Sequence, residues 1–183
     1  MLVETIVKPN GESVEIYYDE HSENPRNWDN ISKMYCFHKR YNLGDKHKID
    51  HTNYSSFDEM IEDNTSPDDI VYPLYMYEHG SIEISTTPFS CRWDSGQLGF
   101  IVVTKETIIK EYGSDTPDNR EKALRVMLGE VATYADYVDG RVFYYKLKDV
   151  NGETIDCIGG FYGYDHAESG LYESAGIDKK QIA

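Results

Sequence analysis

The run Leu98-Gly99-Phe100-Ile101-Val102-Val103 is apolar without interruption, which suits a strand buried on both faces. A strand of that kind cannot lie on a surface, so the rest of the chain must supply its neighbours and its cover. At 183 residues the chain fits one domain, 1–183, with a core of ordinary size.

The neighbours are legible as hairpins. LVETIVKP and SVEIYYD alternate apolar and polar residues on either side of Asn10-Gly11, the strongest short hairpin signal. KMYCFHKRY predicts a third strand, and 42–54 has no period and reads as a loop. Ser56 with Glu59 makes a capping box for a short helix with Phe57, Met60 and Ile61 on its apolar face. Strands follow at 70–78 and 81–87 around His79-Gly80, with Pro73 demoting the first to an edge or bulged strand. Thr104 caps a second short helix ending near Gly113. The spacing then predicts a long helix over 119–138, with Asp118 as N-cap, Glu121 completing its box, and Leu124, Met127, Leu128, Val131, Ala135 and Val138 as its buried stripe. RVFYYKLKD and TIDCIGGFYG form a last hairpin, and a short helix is expected over 170–181. Runs of hairpins without regular βαβ alternation predict an α+β fold: an antiparallel sheet of hairpins with one long and two or three short helices packed on it.

Composition excludes several classes of function. Cys36, Cys91 and Cys157 are far apart and make no CxxC or Cys/His spacing, which argues against a disulfide framework and a zinc knuckle. The N-terminal segment has acids where a signal peptide carries bases, and no apolar run approaches the roughly 18 residues that span a bilayer. A cytoplasmic setting is expected, so the sequons at Asn30 and Asn53 are read as chance. The net charge of −15 is unevenly spread. Between Lys48 and Arg92 there is no lysine or arginine, while Asp50, Asp58, Glu59, Glu62, Asp63, Asp68, Asp69, Glu78 and Glu83 all lie there. Such a field repels nucleic acid and membranes and attracts basic protein surfaces, although charge also serves plain solubility.

Three places offer chemistry. Cys91, His79 and Asp94 supply a nucleophile, a base and an orienting group, but the same stretch also reads as a tight turn in which Trp93 packs and Asp94 bonds to nearby backbone N–H groups. His47 and His51, near His38, have the i, i+4 spacing of zinc ligands on a helix. Their segment reads as a solvated polar loop, however, so no metal and no cofactor are expected. Gly159, Gly160 and Gly163 fit close backbone approach or a bulge better than a phosphate loop, since they do not open a helix and no lysine sits among them. Sixteen tyrosines, clustered at 17–18, 72–77 and 144–145, suit either a protein-binding surface or half-buried sheet faces.

At Arg40-Tyr41-Asn42-Leu43-Gly44-Asp45-Lys46-His47, at Tyr72-Pro73-Leu74-Tyr75-Met76-Tyr77-Glu78-His79 and at Thr87 to Gln97, the chain resembles uncharacterised accessory proteins of bacteriophages and related mobile elements. The resemblance covers residues 30–165 and carries over no functional site. It implies the host cytoplasm and an accessory role. The favoured reading is a phage accessory protein that binds and inhibits a host defence or nucleic-acid-handling protein, with DNA mimicry as the physical extreme. Its partner is then a basic surface of a host protein, met through Asp58, Glu59, Glu62, Asp63, Asp68, Asp69, Glu78 and Glu83, with no direct nucleic-acid or membrane binding. The alternatives are a small cysteine-dependent enzyme centred on Cys91, His79 and Asp94, and a non-inhibitory interaction module.

Overall fold

A computed structural model describes residues 1–178. In chain order its elements are β1 (Leu2–Val7), β2 (Ser13–Tyr18), β3 (Lys33–Cys36), α1 (Phe57–Asn64), β4 (Ile70–Glu78), β5 (Ile82–Ser85), β6 (Ser95–Val103), α2 (Lys105–Tyr112), α3 (Pro117–Val138), β7 (Val142–Lys148), β8 (Thr154–Tyr162) and α4 (Leu171–Ser174). The fold is α+β, every strand pair among the described residues is antiparallel, and one long helix accompanies several short ones. The strands form two four-stranded sheets, and the chain divides into two compact units, Met1–Asn24 with the chain from Asp136 on, and Pro25–Ala135.

The first unit holds the sheet β1-β2-β7-β8. The Asn10-Gly11 turn closes its first hairpin, with Gly11 at φ 87° and Val7 opposite Ser13. Ile6, Val14, Ile16, Phe143 and Tyr145 form one core with Leu171, Ala175 and Ile177, and the Tyr145 hydroxyl donates to the Ser174 carbonyl at 3.0 Å. On β8, Phe161 faces Phe143 and Gly159 faces Tyr144, so Gly160 is the extra residue of a bulge, and its φ of 83° is one that glycine adopts without penalty. The helix expected over 170–181 is Leu171–Ser174 among the described residues, and positions 179–181 lie outside them.

The second unit holds the sheet β3-β6-β4-β5. β6 is buried from Leu98 to Val103, as its apolar run requires. Gly99 permits its pairing with β3, because a Cβ there would sit 1.9 Å from the Tyr35 carbonyl oxygen. Pro73 does not put β4 at the edge: β4 runs between β6 and β5. The proline is tolerated because β5 pairs only with Tyr75–Glu78, which leaves Pro73 a single neighbour, Phe100 on β6. A register shift between Leu74 and Tyr75 supplies the bulge.

The helix caps follow local chemistry. Ser56 Oγ accepts from Glu59 N at 3.2 Å and Thr104 Oγ1 from Thr107 N at 3.2 Å, and α2 stops at Gly113 in the left-handed region. The start of α3 differs from expectation. Pro117 is its first residue, and Thr116 rather than Asp118 caps it, its hydroxyl accepting from Asn119 N at 3.3 Å. The buried arc of α3 also differs: Ala123, Met127, Val131, Tyr134 and Ala135 are buried, whereas Leu128 is 37% exposed.

Candidate functional site

The second unit brings Cys91, His79 and Asp94 together at the end of the β4–β5 hairpin. Glu78 N donates to the Asp94 carbonyl at 2.8 Å, which sets the 91–95 turn against the hairpin, and the Ser95 hydroxyl donates to the Cys91 carbonyl. The Cys91 thiol then donates to Asp94 Oδ2 at 3.5 Å, and His79 Nδ1 lies 3.3 Å from the same oxygen. The carboxylate therefore stands between thiol and imidazole. A cysteine nucleophile needs the base itself beside the sulfur, and no hydrogen bond joins Cys91 to His79 among the described residues. The His79 side chain meets this carboxylate and the Tyr77 ring, 6.3 Å away, and is 72% exposed.

Trp93 does not pack as the turn reading expects. It is 95% exposed, and Asp94 spends its carboxylate on Cys91 and His79 rather than on backbone N–H groups. Trp93 borders a cleft of about 500 Å³ together with His38, Arg40, Glu78, Asp94 and Gln97. Glu78 is fully engaged at this cleft, accepting from Arg40 and, at 2.7 Å, from the Tyr41 hydroxyl. That bond raises the tyrosine's pKa, because a phenolate beside a carboxylate is disfavoured.

His38, Gln97 and the loop after β3 also border a second cavity, of about 590 Å³. The segment is a loop in which Asn42, Lys46, Lys48, Asp50 and His51 are exposed, as expected, but His47 is half-buried and packed. His47 Nε2 donates to the Cys36 carbonyl at 3.1 Å, since a carbonyl can only accept, and its ring lies 4.8 Å from Phe37. His38 Nδ1 accepts from Arg40 N and Tyr41 N at 3.3 Å, and its ring stacks on Tyr41. Among the described residues, no group of three histidine, cysteine or acidic side chains is placed to hold a metal ion.

What positions this loop was not visible in the sequence. Arg26, 9% exposed, donates through Nε and Nη2 to Asp45 at 3.1 and 2.7 Å and through Nη1 to Glu130 at 3.4 Å. Glu130, on α3, also accepts from Ile31 N at 2.8 Å and from the Ser32 hydroxyl, and Tyr134 accepts from Gly44 N at 2.7 Å. The sequence signal was faint: a glutamate and a tyrosine one helical turn apart beside the apolar stripe.

The acidic interval separates into two groups. Asp58, Glu59, Glu62 and Asp63 are exposed on α1, and none forms a salt bridge among the described residues. Glu59 accepts from Ser55 N and Oγ, which lowers its pKa, and Asp63 accepts from the Tyr54 hydroxyl at 2.9 Å. The others are occupied or less open. Asp68 pairs with Lys105 at 2.8 Å, which holds its carboxyl below the usual range, and Asp69 accepts from Lys105 N at 3.0 Å at the start of α2. Glu78 is engaged as described, and Glu83 is half-buried on β5.

No family model, no curated protein and no solved structure matches this chain. No helix among the described residues is long and apolar enough to cross a membrane.

Proposed function

We propose that this is an accessory protein of phage type that acts by binding, and thereby inhibiting, a host protein that handles nucleic acid or serves in defence. The observation that carries this reading is the exposed face of α1, where Asp58, Glu59, Glu62 and Asp63 stand without basic partners. Asp58 and Glu62, and Glu59 and Asp63, are four residues apart, so each pair lies about 5–6 Å apart along the helix. Two rows of carboxylates then offer a basic groove what phosphates would otherwise supply. Asp68 and Glu78 are already paired with the cations Lys105 and Arg40, so the four α1 carboxylates, which have no basic partner among the described residues, form the docking surface.

The test is a variant with Asp58→Asn, Glu59→Gln, Glu62→Gln and Asp63→Asn, measured against a captured host partner at several salt concentrations. A slower association, a flatter salt dependence and weakened competition with DNA for the partner are the expected results. A folded variant with unchanged association and salt slope removes the proposal.

A second reading, a cysteine-dependent enzyme, is favoured by the contact of both Cys91 and His79 with Asp94. It requires the exposed imidazole to move from the carboxylate to the sulfur during reaction.

A further inference from the structure

The loop 38–51 has a charge opposite to that of the molecule around it. It carries Lys39, Arg40, Lys46 and Lys48 against Asp45 and Asp50, in a chain of net charge −15. The acids do not neutralise these bases: Asp45 is consumed by Arg26 and by Met34 N, and Asp50 caps the turn at His51–Asn53. Arg40 is held by Glu78, but Lys39, Lys46 and Lys48 are exposed and form no salt bridge among the described residues. Lys39 and Lys46 both border the 590 Å³ cavity.

The interior of that cavity is aromatic. Phe37, Tyr41, Phe57 and His51 line it, and Phe37 is inclined at 58° to Phe57 and at 50° to His51, with centroids 6.1 and 6.0 Å away. Phe37 also packs on His47 and Phe100, and the ring surface that Phe37 and Phe57 leave on the cavity wall is apolar and suits a flat guest. Two amides in the lining, Asn42 and Gln97, offer both donors and acceptors, and the one carboxylate there, Asp45, is already held by Arg26. The volume falls within the roughly 300–1,000 Å³ of small-molecule sites.

We propose that this cavity binds a nucleoside monophosphate, its base against Phe37 and Phe57, its edge read by Asn42 and Gln97, and its phosphate held by Lys39 and Lys46. Each part answers one feature of the ligand. The aromatic faces suit a planar ring, the amides suit a heteroaromatic edge, and two unpaired ammonium groups at the rim suit a compact anion. The site does not use the α1 carboxylates, so it stands or falls separately from the docking surface above.

The experiment is calorimetric titration of the full chain with AMP, GMP, CMP and UMP, with adenosine and inorganic phosphate as separate arms. At least one nucleotide should saturate a single site, the nucleoside should bind at least about tenfold more weakly, and phosphate alone should not saturate. Lys39→Gln with Lys46→Gln should weaken nucleotide binding by about tenfold or more and leave the nucleoside arm unchanged, with an unaltered circular dichroism spectrum showing that the exposed substitutions preserve the fold. The proposal is overturned if none of the four nucleotides saturates at millimolar concentration, if phosphate binds as tightly as the nucleotide, or if the double variant binds it unchanged.

Discussion

Arg26 grips the carboxylate of Asp45 with two nitrogens, Nε at 3.1 Å and Nη2 at 2.7 Å, and this fork fixes the loop that lines both cavities. Nineteen residues separate the pair in sequence, and the guanidinium is nearly closed to solvent, with 3% of its side chain exposed. A buried cation of this kind depends on every partner it has.

Removing one partner should therefore cost more than the pair's net worth. Glu130→Ala leaves Arg26 short of a counter-charge and strips Ile31 N and Ser32 of their acceptor, a loss of about 3–5 kcal/mol. Glu130→Gln keeps one side-chain oxygen, for either Ile31 N or Ser32 but not for both, and fills the same space, so it should cost less. Urea unfolding of the two variants measures the difference, and equal, small losses would mean that the network does not hold the loop.

The facing of α3 makes a sharp pair of neighbours. Met127 is fully buried and Leu128 is 37% exposed. Met127→Ala should lose about 2–5 kcal/mol, while Leu128→Ala should stay within about 0.5 kcal/mol, as surface substitutions do. Denaturant midpoints decide it, and the reverse order would put the helix the other way round.

The three thiols should alkylate in an order set by access. Cys157 is exposed, Cys91 is half-buried, and burial pushes the Cys36 thiol up to about 12. Iodoacetamide at neutral pH should label Cys157 first, Cys91 next and Cys36 only on unfolding. The enzyme reading needs Cys91 to outpace Cys157 and to slow in His79→Ala; followed by mass spectrometry, the simple access order would end it.

His166 predicts a pH effect. It is 8% exposed, its Nδ1 has no hydrogen-bond partner, and its ring meets Phe143 and Tyr172 edge-on. Burial lowers its pKa, against the opposing pull of Glu4 and Asp165. The unfolded chain thus takes up a proton near the ordinary value of about 6.5 while the folded one resists. Stability should be unaffected by this group above that pH and should fall as pH drops through about 6.5 toward the lowered folded pKa. His166→Gln should flatten that part of the stability profile, and an unchanged slope in the variant would show that this histidine is not its source.

The sequence by itself determined what depends on near neighbours. The Asn10-Gly11 hairpin, the Ser56 and Thr104 caps, the Gly113 stop, the Gly160 bulge and the doubly buried β6 were all legible, because turn dihedrals, cap hydrogen bonds and apolar runs are properties of a few adjacent residues. Tertiary structure decided the rest. Periodicity gives α3 an apolar spacing, yet Ala123-Met127-Val131 and Leu124-Leu128 satisfy the same i, i+4 rule, and only the packed partner selects the arc. That partner includes the polar loop, which is why Glu130 and Tyr134 face inward to Arg26 and Gly44. The short β5 likewise let Pro73 sit within an interior strand. Asp94 reached Cys91 and His79 together through hairpin contacts, with the carboxylate in the middle, an order of groups that is a matter of distances in space and leaves no trace in spacing along the chain.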